Sequence, residues 1–211
     1  MAIVNGYITL PELKRWLRFD AEDVDEVHVD DELFEAAISG TSRWIDQKCK
    51  RHFFQVDEAR DFWASDLYNL DLGHFNDLVS IDTLTTDDDG DGVFETSWTE
   101  GVDFELRPRN VFAGAEERPY RSVRALGRRF PVNAVAGGRI ERIRMNGTWG
   151  WPAFPAGVAT ATKIQVARIV KRKEAPEGIL GLNQFGVLRV SGRPDPDVMD
   201  AIKPYRLRSL G

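Results

Sequence analysis

The chain is predicted to be α+β: a small helical bundle, an inserted antiparallel β region and an extended C-terminal tail. Three observations predict this. Apolar residues recur at three- and four-residue spacing in two stretches near the N-terminus and in a third at 155–173. Between them, from about Arg60 to Asn146, the pattern changes to short β-rich runs separated by turn residues. Runs of strands bracketed by helices belong to α+β architectures, not to doubly wound α/β ones.

The elements follow in order. Thr9-Leu10-Pro11-Glu12 reads as a helix start, with Thr9 as cap, Pro11 in the first turn and Glu12 completing a capping box. That helix is expected over 9–19, with Leu10, Leu13, Trp16 and Leu17 on one face. Asp20 to Asp30 reads as an acidic loop. Asp30 or Asp31 then caps a longer helix over 31–52, with Leu33, Ala37, Ile38, Thr41, Ile45 and Cys49 as its apolar stripe. Lys48, Lys50 and Arg51 complement the negative end of its dipole.

Strands are predicted at 60–64, 67–70, 78–84, 93–98, 104–106 and 121–126. A further one is expected at 139–145, where Ile140, Ile143 and Met145 alternate with charged residues. Residues 112–117 and 131–138 read as loops. Asn146-Gly147-Thr148-Trp149-Gly150-Trp151-Pro152 reads as a tight aromatic turn, with Trp149, Trp151 and Pro152 determining the local fold. A helix over 155–173 follows, with Val158, Ala161, Thr162, Gln165, Val166, Ile169 and Val170 along one side. Residues 174–211 form an expected extended arm, containing a short helix at about 196–203 opened by Asp195-Pro196.

Composition bounds the function. With 211 residues, 42% hydrophobic and 29% charged, the chain suits one globular domain with an appendage. No window is apolar enough to span a bilayer, so no membrane role is expected. The opening residues Met1 to Gly6 have neither the basic nor the apolar region of a secretory signal. Cys49 is the single cysteine, which excludes an internal disulfide and fits a buried small hydrophobe.

Charge is unevenly distributed along the chain. Residues 1–106 hold 8 Lys/Arg and 26 Asp/Glu, or −18, and residues 107–211 hold 20 and 8, or +12. Two readings are open: the halves neutralise each other inside one subunit, or the poles face different neighbours and copies attract head to tail.

The best metal candidate is Asp87 to Glu95. Asp87, Asp89 and Asp91 stand at positions 1, 3 and 5 of a calcium loop, Gly92 at position 6 and Glu95 at position 9. Trp98 stands where the bidentate Glu of position 12 belongs, and the flanks read as strands. The same residues are those that hairpin turns prefer. His28, His52 and His74 have no metal-ligand spacing, and His28 and His52 are expected in solvent. Nucleophile-elbow, Walker and dinucleotide motifs are absent, so no catalytic residue and no enzyme activity are expected.

Read together, several segments resemble the head–tail connector, or adaptor, family of long-tailed (siphovirus-type) bacteriophages. They are Tyr7 to Lys14 as an opening helix, and Ala36-Ala37-Ile38 through Trp44-Ile45-Asp46 to Cys49-Lys50-Arg51-His52-Phe53. Asn146 to Pro152 followed by Pro155-Ala156-Gly157-Val158 is the most specific piece, and Asp195 to Val198 with Pro204-Tyr205-Arg206 resembles the family's closing helix.

The resemblance implies a connector domain over 1–173, with a β insertion at about 60–146, and an arm over 174–211. It implies a virion protein at the head–tail junction, assembled in the bacterial host cytoplasm. There it would form a homo-oligomeric ring, a dodecamer, beneath the portal protein. A stopper or tail-completion protein would bind below, and double-stranded DNA would pass non-specifically through the channel. No cofactor is implied, calcium at Asp87, Asp89 and Asp91 being the one candidate. The arm would reach toward the portal, with Tyr205 as aromatic anchor and Arg206 and Arg208 as charge anchors. The alternative is a non-viral soluble interaction module, stabilised by calcium and without catalysis.

Overall fold

The computed structural model describes residues 3–17, 31–111, 116–132, 142–174, 179–183, 186–189 and 195–207. The chain divides into two compact units, one of residues 1–50 with 154–211, the other of residues 51–153. Among the described residues the class is α+β, with four α-helices and antiparallel sheets.

In the helical unit, α1 spans Leu10–Leu17 and opens on the predicted capping box. The Thr9 amide donates to Glu12 Oε2 at 2.7 Å, and the Glu12 amide donates to Thr9 Oγ1 at 3.3 Å. Helix α2 spans Asp31–Cys49 and stops three residues short of the expected end. Lys50 takes a left-handed backbone with φ 58°, which ends the α-helical hydrogen-bond ladder. The buried stripe of α2 runs through Phe34, Ile38, Thr41, Ser42, Ile45, Asp46 and Cys49, while Leu33 and Ala37 are only half-buried.

Ser42 and Asp46 lie in that stripe because they hold the N-terminal segment. The Tyr7 amide donates to Ser42 Oγ at 3.0 Å, and the Tyr7 hydroxyl donates to Asp46. Helix α3, Ala156–Glu174, packs Val166 and Val170 against Ile8, Leu13, Phe34 and Ile38.

The stretch expected to be extended contains an antiparallel hairpin of β8 (Ile179–Asn183) and β9 (Gly186–Arg189). Helix α4, Pro196–Ile202, is capped by Asp195, which accepts from the Asp197 amide at 2.9 Å and pairs with Arg168 at 2.5 Å. Val198 and Ile202 are fully buried. The Leu207 amide donates to the Cys49 carbonyl at 3.0 Å, so 195–207 is packed into its own unit.

Among its described residues the β unit holds two antiparallel sheets. The first, in the order β1-β7-β3-β4, comprises Val56–Phe62, Ile143–Trp149, Leu78–Thr86 and Thr96–Trp98. The second, β2-β6-β5, comprises Asn69–Asp71, Ser122–Ala125 and Phe104–Arg107. Both contribute to one core that includes Phe62, Leu78, Trp98, Phe104, Val123 and Trp149.

The expected break at Asn146 is absent, and strand β7 continues to Trp149. Gly147 is the reason: β3 runs so close that a Cβ there would lie 2.3 Å from the Ser80 carbonyl oxygen, and β3 is irregular at this point. The glycine serves a close backbone approach instead of a hairpin.

Part of the charge asymmetry is neutralised within the β unit. Asp61 pairs with Arg144 at 2.7 Å, Asp77 with Arg121 at 3.6 Å and Asp103 with Arg128 at 3.2 Å, each joining the acidic half of the sequence to the basic half. Counted by unit, the helical one has 16 basic and 16 acidic residues, and the β unit has 12 against 18. The −18/+12 split is thus a property of chain order; in space the net −6 belongs to the β unit.

Candidate functional site

The acidic turn joins β3 to β4. Gly90 and Gly92 take φ of 87° and 91°, conformations that favour glycine, and their amides donate to Asp87 at 2.5 and 3.0 Å. The Asp91 amide donates to Asp89, and the Val93 amide to Asp91. Arg142 closes the other side, its Nε donating to the Asp87 carbonyl at 2.9 Å and its guanidinium lying 3.9 Å from the Asp87 carboxylate. Burial disfavours the charge on Asp87. The two glycine amides and Arg142 outweigh it and hold the carboxyl below the usual carboxylate range.

Oxygens of Asp87, Asp89, Asp91 and Glu95 lie within 4.8 Å of one another, a donor set of the hard type that calcium takes. The fit is partial. Trp98, at the twelfth position, is buried, stacks on Phe130 at 4.8 Å and donates through Nε1 to Thr86 at 3.0 Å. It brings no oxygen ligand, and Arg142 places a cation beside the first carboxylate. The loop closes on its own amides.

The aromatic segment forms the second feature. Trp149 is buried, and its Nε1 donates to the Glu58 carbonyl at 2.9 Å. Gly150, at φ 120°, passes so close to Phe54 that a Cβ would lie 2.1 Å from its carbonyl oxygen. Trp151 packs against Phe53 at 5.3 Å and under the Arg51 guanidinium at 5.1 Å. Gln55 Nε2 donates to the carbonyls of Trp151 and Pro152 at 2.7 and 3.1 Å.

Beside this turn Asp77 is fully enclosed, with Arg51 at 3.2 Å and Arg121 at 3.6 Å. Burial pushes its carboxyl up, against the pull of the two arginines. Asp77 and Arg142 were invisible in the sequence, because nothing local distinguishes them from the many other charged residues.

The predicted partner contacts separate. Tyr205, expected as an aromatic anchor for a partner, is only 5% exposed, because its ring fills the space beside Gly157, where an added Cβ would meet it at 3.1 Å. Arg206 is exposed. Arg208 lies outside the described residues, as does the acidic loop 20–30. His52, expected in solvent, is half-buried between Phe54 and Phe75, at 4.9 and 5.0 Å. Among the described residues no helix is long and apolar enough to cross a membrane.

One groove, of about 590 Å³, runs along Arg60–Trp63 and Leu70–Gly73. Its cation, Arg60, is committed to Glu58 and Asn76 and to the Phe75 carbonyl. What the β unit offers outward is surface, including exposed apolar residues at one end of the β2-β6-β5 sheet.

No protein-family model and no curated protein matches the chain. Solved structures do. A chain in the neck of an empty GTA particle, computed with C6 symmetry, is similar at TM-score 0.58 and 20% identity over 100% of this chain and 95% of that one. A chain in the neck of a native GTA particle, computed with C12 symmetry, matches at TM-score 0.54 and 17% identity, with the same coverage. A chain of the virion of a native gene transfer agent particle matches at 0.51 and 20%, again with that coverage. The fold of this chain is therefore shared, end to end, with chains of the neck and virion of a phage-like particle.

Proposed function

We propose that the chain is a structural protein of a phage-like virion, a head-to-tail adaptor. It forms a ring beneath the portal, joins the DNA-filled head to the tail and lets DNA pass. The observation that carries this is the end-to-end sharing of fold with neck chains of a gene transfer agent particle, both units included. The sequence resemblance to connector proteins, which rests on short motifs, points the same way.

The physical features suit such a role. The buried carboxylates Asp77 and Asp87 are engaged in holding the fold. The net −6 resides in the β unit, so a ring of copies presenting it to a channel would repel phosphate and keep DNA from sticking. Work by shape and contact needs no reacting group.

The test is assembly. The purified chain, mixed with the portal of the same particle, should give complexes whose mass by mass photometry equals the portal plus a ring of copies. A particle lacking the chain should package DNA but fail to join tails. Chains that stay monomeric beside the portal, or tailed infectious particles without the protein, would overturn the proposal.

A further inference from the structure

Among the described residues, four of the five exposed large apolar residues of the β unit sit together. Leu67, Tyr68, Val102 and Leu126 are 37, 42, 66 and 45% exposed. Backbone bonds bring them to one end of the β2-β6-β5 sheet. The Ala125 amide donates to the Tyr68 carbonyl, the Leu126 amide to that of Asp103, and the Phe130 amide to that of Leu67, each at 2.8 Å. Scattered singly, such residues need no explanation; clustered, they mark a contact surface.

The rim of this patch is basic in a unit that is otherwise acidic. Arg124, Arg128 and Arg129 are all exposed. Arg129 lies over the Tyr68 ring at 5.7 Å, and Arg128 is paired with Asp103. Asp66, itself exposed, accepts from the Tyr68 and Asn69 amides at 2.7 and 2.8 Å, so its carboxylate is held by its own turn. Among the described residues no carboxylate pairs with Arg124 or Arg129. The surface therefore asks for a partner that alternates apolar groups with carboxylates.

The chain itself carries such a segment. From Asp20 to Asp30 there are six carboxylates, three valines (Val24, Val27 and Val29) and no Lys or Arg. We propose that the sheet end formed by Leu67, Tyr68, Val102 and Leu126 docks the acidic segment 20–30 of a second copy. Valines would meet the apolar patch and carboxylates the arginines. This rests on the ring reading above and supplies a heterologous contact, the type that closes into rings. Such a contact weakens as salt rises.

Two experiments test it. In the first, a synthetic peptide of residues 20–31 is titrated into a full chain whose own segment carries Glu22→Gln, Asp23→Asn, Asp25→Asn and Glu26→Gln. Saturable binding is expected, weakened at least about tenfold by Arg129→Glu or by Leu126→Ser, with melting curves showing that both variants fold. No saturable binding at millimolar peptide, or equal affinity for both variants, overturns the docking.

In the second, chains carrying Val27→Cys are mixed with chains carrying Leu126→Cys, with portal present, and mildly oxidised. Disulfide-linked pairs of the two variants are expected. Their absence, with a bond forming only when both cysteines share one chain, overturns the second copy. Mass photometry reads the ring separately: rings without peptide binding refute the docking alone, and peptide binding without rings supports the docking while refuting the ring.

Discussion

Gly147 in β7 and Ser80 in β3 approach so closely that a Cβ on the glycine would lie 2.3 Å from the serine carbonyl oxygen. That contact lies in the middle of the four-stranded sheet, so the backbone of two strands must shift if it is filled. Gly147→Ala should destabilise the β unit by about 2 kcal/mol, the range of overpacking in a close-packed interior. Thr148→Ala, next in the strand but only half-buried, should cost less than half as much. Urea unfolding of both variants decides it.

The acidic turn should be pH-sensitive in a defined direction. The folded-state carboxyl of Asp87 is held below its ordinary value, so its contribution is present above about pH 4 and is lost as pH falls through the lower, folded value. Asp87→Asn should therefore melt below the wild type at pH 6, with the gap closing toward pH 2.5. A gap that widened on acidification would refute the assignment.

Calcium should matter little to this turn. Its amides and Arg142 already hold Asp87, and Trp98 stands where a bidentate carboxylate would be needed. Melting temperatures in EDTA and in millimolar calcium should coincide within error. A calcium-dependent rise that disappears in Asp89→Asn would show instead that four carboxylates suffice.

The two neighbours Tyr205 and Arg206 should behave oppositely. Tyr205→Ala removes a buried ring from the helical unit and should cost about 3 kcal/mol. Arg206→Glu changes an exposed side chain, so stability should stay within about 0.5 kcal/mol while portal docking weakens. Thermal melts and co-sedimentation with portal separate the two effects.

Local chemistry determined much of the helical layout. The Thr9–Glu12 capping box, the Asp195-Pro196 start of α4 and the three- and four-residue spacing around Ile38, Ile45 and Cys49 each act within a few residues, so they were legible in the chain alone. So was the Asp87–Gly92 turn, whose two glycines take positive φ. Tertiary structure alone decided that Asn146-Gly147 continues a strand, because the reason is the approach of Ser80 in β3, far away in the sequence. It likewise decided that Ser42 and Asp46 are buried to hold Tyr7, and that the Tyr205 ring is buried within its unit. The division of charge shows the difference most plainly. Counting along the chain separates −18 from +12, but antiparallel pairing threads basic β7 between acidic β1 and β3 and joins Asp61 to Arg144. Charges interact through distance in space, and only the fold sets that distance.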